Sequence, residues 1–120
     1  MEQRVRLIQH GEKSVILVDS SKCSAEEATR IYLEERAVVA ACEAKSALTL
    51  TDVTDTMFDN ATIEAIKETI RLNGPHVKAA AVVGVHGLKK IILTALTTLT
   101  GRSLQLFDTR EEALDWLVQQ

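Results

Sequence analysis

The sequence contains few aromatic residues, a single proline and no excess of basic charge. Aromatic residues make up only 3 %, so the core must be aliphatic, and the stacking surfaces needed for single-stranded nucleic acid are scarce. The net charge of −3 provides no basic face for phosphates, so no nucleic-acid partner is expected. No apolar run approaches the roughly 20 residues that span a bilayer, so no membrane span is expected.

The overall composition of the chain is typical of a small globular protein. Hydrophobic residues make up 46 % of 120 residues, which predicts one domain, residues 1–120, with an ordinary core. Cys23 and Cys42 are too few for a disulfide framework and are expected to be free thiols in a reducing compartment. The first residues lead directly into a strand pattern without a secretion signal, so we expect a cytoplasmic location.

The first half of the chain predicts a β-hairpin followed by a helix. Residues 4–8 and 14–18 are short strand patterns separated by a turn signal. Ser24 and Glu27 form a capping box that opens the helix. Its spacing predicts an inward face made of Ala28, Ile31, Tyr32, Val38, Val39 and Cys42, with Glu34, Glu35 and Arg36 in solvent.

The second half alternates strands with helices. Strands are predicted at residues 47–53, 77–83 and 104–107. A helix capped by Asn60 ends at Asn73-Gly74-Pro75, where glycine is free to adopt positive φ and proline cannot continue the helix. The next helix carries a regular apolar stripe that we expect to face the core, and a capping box from Thr109 to Glu112 opens the last helix. The stripe consists of Leu88, Ile91, Ile92, Ala95, Leu96 and Leu99.

This order, ββαβαβαβα, predicts a single α/β domain with a mostly parallel five-stranded sheet and one antiparallel edge strand. In a parallel sheet, functional residues collect beyond the carboxyl ends of the strands. Acids, hydroxyls and glycines are expected along that edge, either as caps and turns or as a metal or acid–base site. They are Asp19, Ser20, Ser21, Asp52, Thr54, Asp55, Gly84, His86, Gly87, Asp108 and Thr109.

Three segments resemble one family. They are A-L-T-L-T-D-V-T (47–54), P-H-V-K-A-A-A-V-V-G-V-H-G-L-K-K (75–90) and G-R-S-L-Q-L-F-D-T-R-E-E-A-L-D-W-L (101–117). In order and spacing the chain resembles the SpoIIAA-like proteins, which are grouped with STAS domains and, more remotely, with Sec14-type lipid-transfer domains. The resemblance implies a STAS/SpoIIAA-like α/β fold without enzyme chemistry or cofactor.

The resemblance also implies a regulatory loop after the central strand. STAS relatives that antagonise anti-sigma factors carry a phosphorylatable serine or threonine there, typically in a D-S-S/T-G-L-type sequence. This chain has no serine and no glycine in that loop, so Thr54 and Thr56 are the candidate hydroxyls. The adjacent Met57 and Phe58 either fold back onto the core or meet a partner. Thr54, Asp55, Thr56, Met57 and Phe58 together form the candidate phosphorylation or partner loop.

A second candidate site is the turn before the third helix, where glycines precede a helix amino terminus and two lysines. Gly84, His86, Gly87, Lys89 and Lys90 form this candidate anion or ligand turn, although a plain tight turn explains the same residues. It lacks the G-K-[ST] sequence of a P-loop and the G-x-G-x-x-G pattern.

These observations favour a non-enzymatic regulatory or protein-interaction module with a protein partner. The alternative is a domain that binds a small ligand such as a lipid, a nucleotide or an anion. A homodimer through the edge strand or the threonine-bearing face of the third helix also fits the sequence. An enzyme ranks last, because no nucleophile–base pair, metal motif or cofactor fingerprint is present.

Overall fold

The computed structural model describes residues 3–100 and 104–120, without the side chains of residues 96–100. Five strands and four helices follow one another in the predicted order. They are β1 (Val5–His10), β2 (Lys13–Asp19), α1 (Ala25–Ala40), β3 (Ala47–Asp52), α2 (Asn60–Asn73), β4 (Val77–Val83), α3 (Leu88–Thr100), β5 (Leu104–Phe107) and α4 (Arg110–Leu117). None of the described helices is both long and apolar enough to cross a bilayer.

The sheet is mixed, with the strand order β1-β2-β3-β4-β5. The hairpin makes β1 antiparallel to β2, and β2 to β5 run parallel, which confirms the predicted five-stranded sheet with one antiparallel edge strand. Asp19 lies opposite Asp52, Asp52 opposite Val83, and Val83 opposite Phe107. Because these last residues are in register, the loops that follow the four parallel strands leave the sheet along one edge, as the sequence predicted.

Alternation along the strands divides the core into two layers. Leu48, Leu50 and Val83 face α4, whose Ala113 and Leu117 are fully buried against them. Strand residues of the opposite face, such as Val18 and Val82, pack with residues of α1, α2 and α3. Three helices therefore cover one face of the sheet, and the eight-residue α4 packs on the other.

Three predictions about α1 are wrong. Glu35, expected in solvent, is only 6 % exposed, whereas Val38, expected inside, is 37 % exposed. The buried stripe runs through Ile31, Glu35 and Val39, a spacing of four residues at each step, so Glu35 occupies a core position of the helix. Arg36, also expected in solvent, is half-buried because its guanidinium donates to α2.

The ends of α2 also differ in detail from expectation. The N-cap is Asp59 and not Asn60, because the Asp59 carboxylate accepts a hydrogen bond from the backbone N–H of Thr62 at 2.8 Å. The Thr62 hydroxyl completes the capping box. The helix ends at Asn73 as predicted, but Gly74 keeps a right-handed φ of −49°, so its termination does not use positive φ.

Only part of the apolar stripe predicted for α3 faces the core, since Ile92 is half-buried and packs against it. Leu88 and Ile91 are 72 % and 68 % exposed, and Ala95 is exposed, whereas Leu93 is buried. Lys89 and Leu93, one helical turn apart, lie on the inward face of α3. The Lys89 amine lies 5.2 Å from the centre of the Phe58 ring. Leu96, Leu99 and most of the threonine-bearing face fall outside the described side chains.

Two edge loops meet where Gly84, at φ +84°, passes Thr54. A Cβ atom on Gly84 would lie 2.7 Å from the Thr54 backbone nitrogen and 2.8 Å from its Cα. Real Cβ atoms do not approach backbone atoms that closely. Gly87 has φ +60° but open space around the same position. Glycine is therefore required at residue 84 for both conformation and space, and at residue 87 for conformation alone.

We expect Gly84→Ala to lower the free energy of unfolding by at least about 2 kcal/mol, because strain at positive φ adds to a backbone clash. The matched control Gly87→Ala carries the conformational cost alone, about 1 kcal/mol. Urea denaturation followed by circular dichroism measures both. Equal losses for the two variants would contradict the close approach of Gly84 to Thr54.

Candidate functional site

The two acids that end β2 and β3 are held by one arginine from α4. The Arg110 guanidinium donates through Nε to Asp52 Oδ2 at 2.7 Å, and its terminal nitrogen lies 3.3 Å from Asp19 Oδ1. Arg4 lies 3.6 Å from the same Asp19 oxygen. The edge therefore brings the acids together as predicted, but with arginine counter-charges between them.

This arrangement determines the charge of the edge. Burial pushes the pKa of Asp19 up, but hydrogen bonds from Ser21 and the charge of Arg110 outweigh burial and hold it below its usual value. The other Asp52 oxygen accepts a hydrogen bond from the Thr54 backbone N–H at 2.9 Å. Within the described residues, no group of three or more His, Cys, Asp or Glu is arranged to hold a metal ion. The two carboxylates therefore serve as ion-paired anchors of the edge loops.

The candidate loop after β3 has one fully buried and one half-buried threonine. Thr56 is 1 % exposed, and its hydroxyl donates to the Ser20 carbonyl at 2.7 Å. Thr54 is half-buried beside Gly84, and Asp55 is exposed with φ +54°. Of the two candidate threonines, Thr56 is therefore the more buried, and modification of its hydroxyl would require the hydrogen bond to Ser20 to break.

The structure separates Met57 from Phe58. Met57 is 65 % exposed, whereas Phe58 is half-buried and packs against the core, beneath the amine of Lys89. This cation–π contact holds the loop beside the first turn of α3, where Leu88 and Ile91 are exposed on one helix face. We call Met57, Leu88 and Ile91 the edge patch.

Contacts with other segments engage two of the five residues of the candidate anion turn. Gly84 accommodates Thr54, and Lys89 covers Phe58. His86 and Lys90 are exposed beside Gly87, which has open space around it. Anion binding at this turn therefore stays a prediction, with His86 and Lys90 as its accessible side chains.

A cavity lies between the sheet and the three helices on its larger face. Its volume is about 80 Å³, and it opens to solvent at its mouth. Most of its lining is apolar, including Val53, Phe58, Ile66, Ile70, Val82 and Leu93. The inward residues of β3 and β4 are small here: Thr49, Thr51 and Ala80. With so few aromatic residues in the chain, short side chains at the centre of the sheet leave the space unfilled.

The polar part of the cavity wall centres on Glu35. Asn73 Nδ2 donates to Glu35 Oε2 at 3.0 Å, which joins α1 to α2 across the cavity wall. Burial raises the pKa of Glu35 to about 7, against the smaller opposing effects of the Asn73 hydrogen bond and the charge of Arg36. Burial also raises the pKa of Tyr32, whose hydroxyl pairs with Ser20 at 2.8 Å. Glu35 is thus a buried carboxyl group whose charge can change near neutral pH.

The nearest cation does not pair with this carboxyl group. Arg36 donates through Nε to Thr69 Oγ1 and through a terminal nitrogen to the Ala65 carbonyl, both at 2.9 Å. Among the described residues, Asn73 is the hydrogen-bond partner of the Glu35 carboxylate. The buried Glu35 carboxyl group was not predicted from the sequence. The four-residue spacing of Ile31, Glu35 and Val39 was nevertheless a signal that Glu35 faces inward.

Comparison with solved structures identifies the fold. The chain is similar to an uncharacterized protein of the DUF3478 family with a SpoIIAA-like fold from Shewanella loihica PV-4, with a TM-score of 0.74 and 16 % identity over 94 % of this chain and 91 % of that one. It is also similar to an anti-sigma-factor antagonist (STAS) domain protein from Planctomyces limnophilus, with a TM-score of 0.66 and 16 % identity over 95 % and 97 % of the two chains. No protein-family model and no curated protein matches the sequence. The chain therefore has the STAS/SpoIIAA-like fold that its sequence segments implied.

We expect Arg110 and Asp52 to be energetically coupled. Arg110→Gln leaves the Asp52 side chain, only 9 % exposed, without its counter-charge. Because Arg110 itself is partly in solvent, the coupling should be about 1–2 kcal/mol, less than for a fully buried pair. A double-mutant cycle with Asp52→Asn, followed by chemical denaturation, measures it. The exposed pair Arg71 and Glu68 is the control and should couple much more weakly; equal coupling would contradict the anchoring role of Arg110.

We expect Glu35 to make stability depend on pH. Its pKa is about 7 in the folded chain against an ordinary 4.5, so between these values the folded state holds a proton that the unfolded state has released. The free energy of unfolding therefore falls as pH rises from about 4.5 to 7, by up to about 3 kcal/mol, and levels off above that range. The Glu35→Gln variant should lack this fall. Denaturation of both proteins from pH 4.5 to 8.5 tests it, and a constant difference between them would contradict burial of the carboxyl group.

Proposed function

We propose that this chain is a non-enzymatic regulatory module that acts by binding a protein partner at the edge patch. The observation that carries the proposal is the exposure of three large apolar side chains on two segments that the contact between Phe58 and Lys89 joins: Met57 on the loop after β3, and Leu88 and Ile91 on the first turn of α3. Clustered apolar side chains in water are a recurrent feature of interaction surfaces.

The ion pairs that Asp19 and Asp52 form with Arg110 favour a binding role over a catalytic one. Asp19 and Asp52 are the carboxylates best placed for acid–base chemistry, and both are ion-paired with Arg110. A fixed counter-charge keeps a carboxylate ionised and favours anchoring over proton transfer. The similar Planctomyces limnophilus protein is described as an anti-sigma-factor antagonist domain protein, and its fold lends support to the regulatory class.

Thr54 is the residue at which we expect a regulatory phosphate. Thr54 is half-buried, with its Oγ1 facing Gly84, whereas Thr56 is fully buried and its hydroxyl donates to the Ser20 carbonyl. A phosphate there would place about two negative charges beside Asp52 and the edge patch, which would change both the loop and the charge that a partner meets.

Substitution of the edge patch should abolish partner binding without unfolding the protein. The test variant is Leu88→Gln with Ile91→Gln, and the matched control is Leu33→Gln with Leu72→Gln, which changes two other exposed helical leucines. A partner isolated from the native organism is purified, and its dissociation constant is measured by isothermal titration calorimetry. We expect the test variant to weaken binding at least about tenfold and the control to leave it within about twofold.

Three outcomes would contradict this proposal. The first is equal binding by the test and control variants, and the second is the absence of any partner that binds the purified chain. The third is self-association of the wild type that the test variant abolishes, measured by analytical ultracentrifugation, because the edge patch would then be a homodimer interface.

A second candidate function is the binding of a small ligand in the cavity. The observation that favours it is an apolar space, open at its mouth, that carries a few polar groups on one wall. Ligand sites in proteins share this mixture of apolar lining and localised polar groups.

A further inference from the structure

The Glu35 carboxyl group lacks a cationic partner in the wall of an apolar cavity. It is 6 % exposed, and its one hydrogen-bond partner among the described residues is the neutral amide of Asn73. The Arg36 guanidinium is committed to Thr69 and to the Ala65 carbonyl. Burying a carboxylate without a counter-charge costs free energy, so a positively charged group in the cavity would stabilise the ionised Glu35.

The other groups of the cavity wall limit the kind of ligand that could pair with Glu35. The Tyr32 hydroxyl is paired with Ser20, and Thr69 Oγ1 accepts a hydrogen bond from Arg36, so each already has a partner within the chain. Apart from Thr49 and Thr51, the remaining lining is mainly apolar, from Val53 at one end of the cavity to Val77 at the other. One hydrogen-bonding head and a compact aliphatic body therefore complement the space.

We propose that the cavity binds a small aliphatic amine, whose ammonium group pairs with the Glu35 carboxylate while its hydrocarbon part packs against the apolar walls. This rests on the ligand-binding function proposed for the cavity and adds the chemical class of the ligand. An ammonium group supplies both the missing positive charge and hydrogen-bond donors to carboxylate oxygens. A carboxylic acid would place a second negative charge beside Glu35 and is disfavoured.

Three six-carbon probes separate the head group from the hydrocarbon body. Hexylamine, 1-hexanol and hexanoate are titrated at pH 8 into the purified full chain, and dissociation constants are obtained from ¹H–¹⁵N chemical shifts. We expect hexylamine to bind at least about tenfold more tightly than hexanol, and hexanoate to bind most weakly. The shifted amide signals should include residues of the cavity wall such as Ile66, Thr69 and Leu93.

Two variants assign the preference to one carboxyl group. Glu35→Gln keeps the size and the hydrogen bond to Asn73 but removes the charge, so hexylamine should lose its advantage over hexanol. Glu34→Gln removes the same charge from an exposed neighbour on α1 and should retain it. This control matters because the net charge of −3 attracts any cation weakly.

The outcomes distinguish the two levels of the proposal. If hexanol binds in the cavity as tightly as hexylamine, or if the amine preference survives in Glu35→Gln, the cavity is a ligand site but the assignment of an amine is wrong. If none of the three probes binds, both the amine assignment and the ligand-binding function are overturned. The ranking of the three probes on the wild type tests the proposal even if Glu35→Gln folds poorly.

Discussion

The in-register ends of four parallel strands are the constraint on which the rest of the structure depends. Because Asp19, Asp52, Val83 and Phe107 lie side by side, the loops that follow them must share one edge of the sheet. Two carboxylates are thereby forced together, and Arg110 offsets their repulsion from the start of α4. The same crowding brings Gly84 against Thr54 and sets the loop with Met57 beside α3.

The cavity follows from the composition of the core. Leu48 and Leu50 of β3 fill the layer under α4, whereas Thr49 and Thr51, which alternate with them, face the cavity with shorter side chains. Three helices span this side but meet few large residues at its centre, so close packing is incomplete. The buried pair of Glu35 and Asn73 joins two of those helices at the wall of the cavity.

The edge patch and the cavity meet at α3. Leu93 of this helix lines the cavity, while Leu88 and Ile91 are exposed on its other side. Phe58 connects them, since its ring lines the cavity and lies under Lys89. An occupant of the cavity and a partner on the edge patch would therefore contact the same helix from opposite sides, which provides a route for one to influence the other.

The candidate sites were predicted to different extents. The edge that carries Asp19, Asp52, Thr54 and Gly84 followed from the alternation of strands and helices, because parallel pairing allows no other place for those loops. The orientation of α3 could not be predicted from the sequence, because its apolar residues extend around much of the helix. The helical period predicted that Leu88 and Ile91 face the core, whereas Leu93 is the buried residue. Glu35 was predicted to lie in solvent because it is charged, although its position on α1 faces the core. The buried carboxyl group was therefore not predicted.

The sequence by itself determined the order of the elements, the mixed sheet and the edge where its loops collect, because these depend on hydrophobic period and on local caps such as Ser24 and Thr109. Only the tertiary structure decided which side of α3 is buried, that Arg110 pairs with Asp19 and Asp52, and that Glu35 lines a cavity. These features depend on contacts between segments far apart in the chain, whose distances and orientations are fixed only when the helices pack on the sheet.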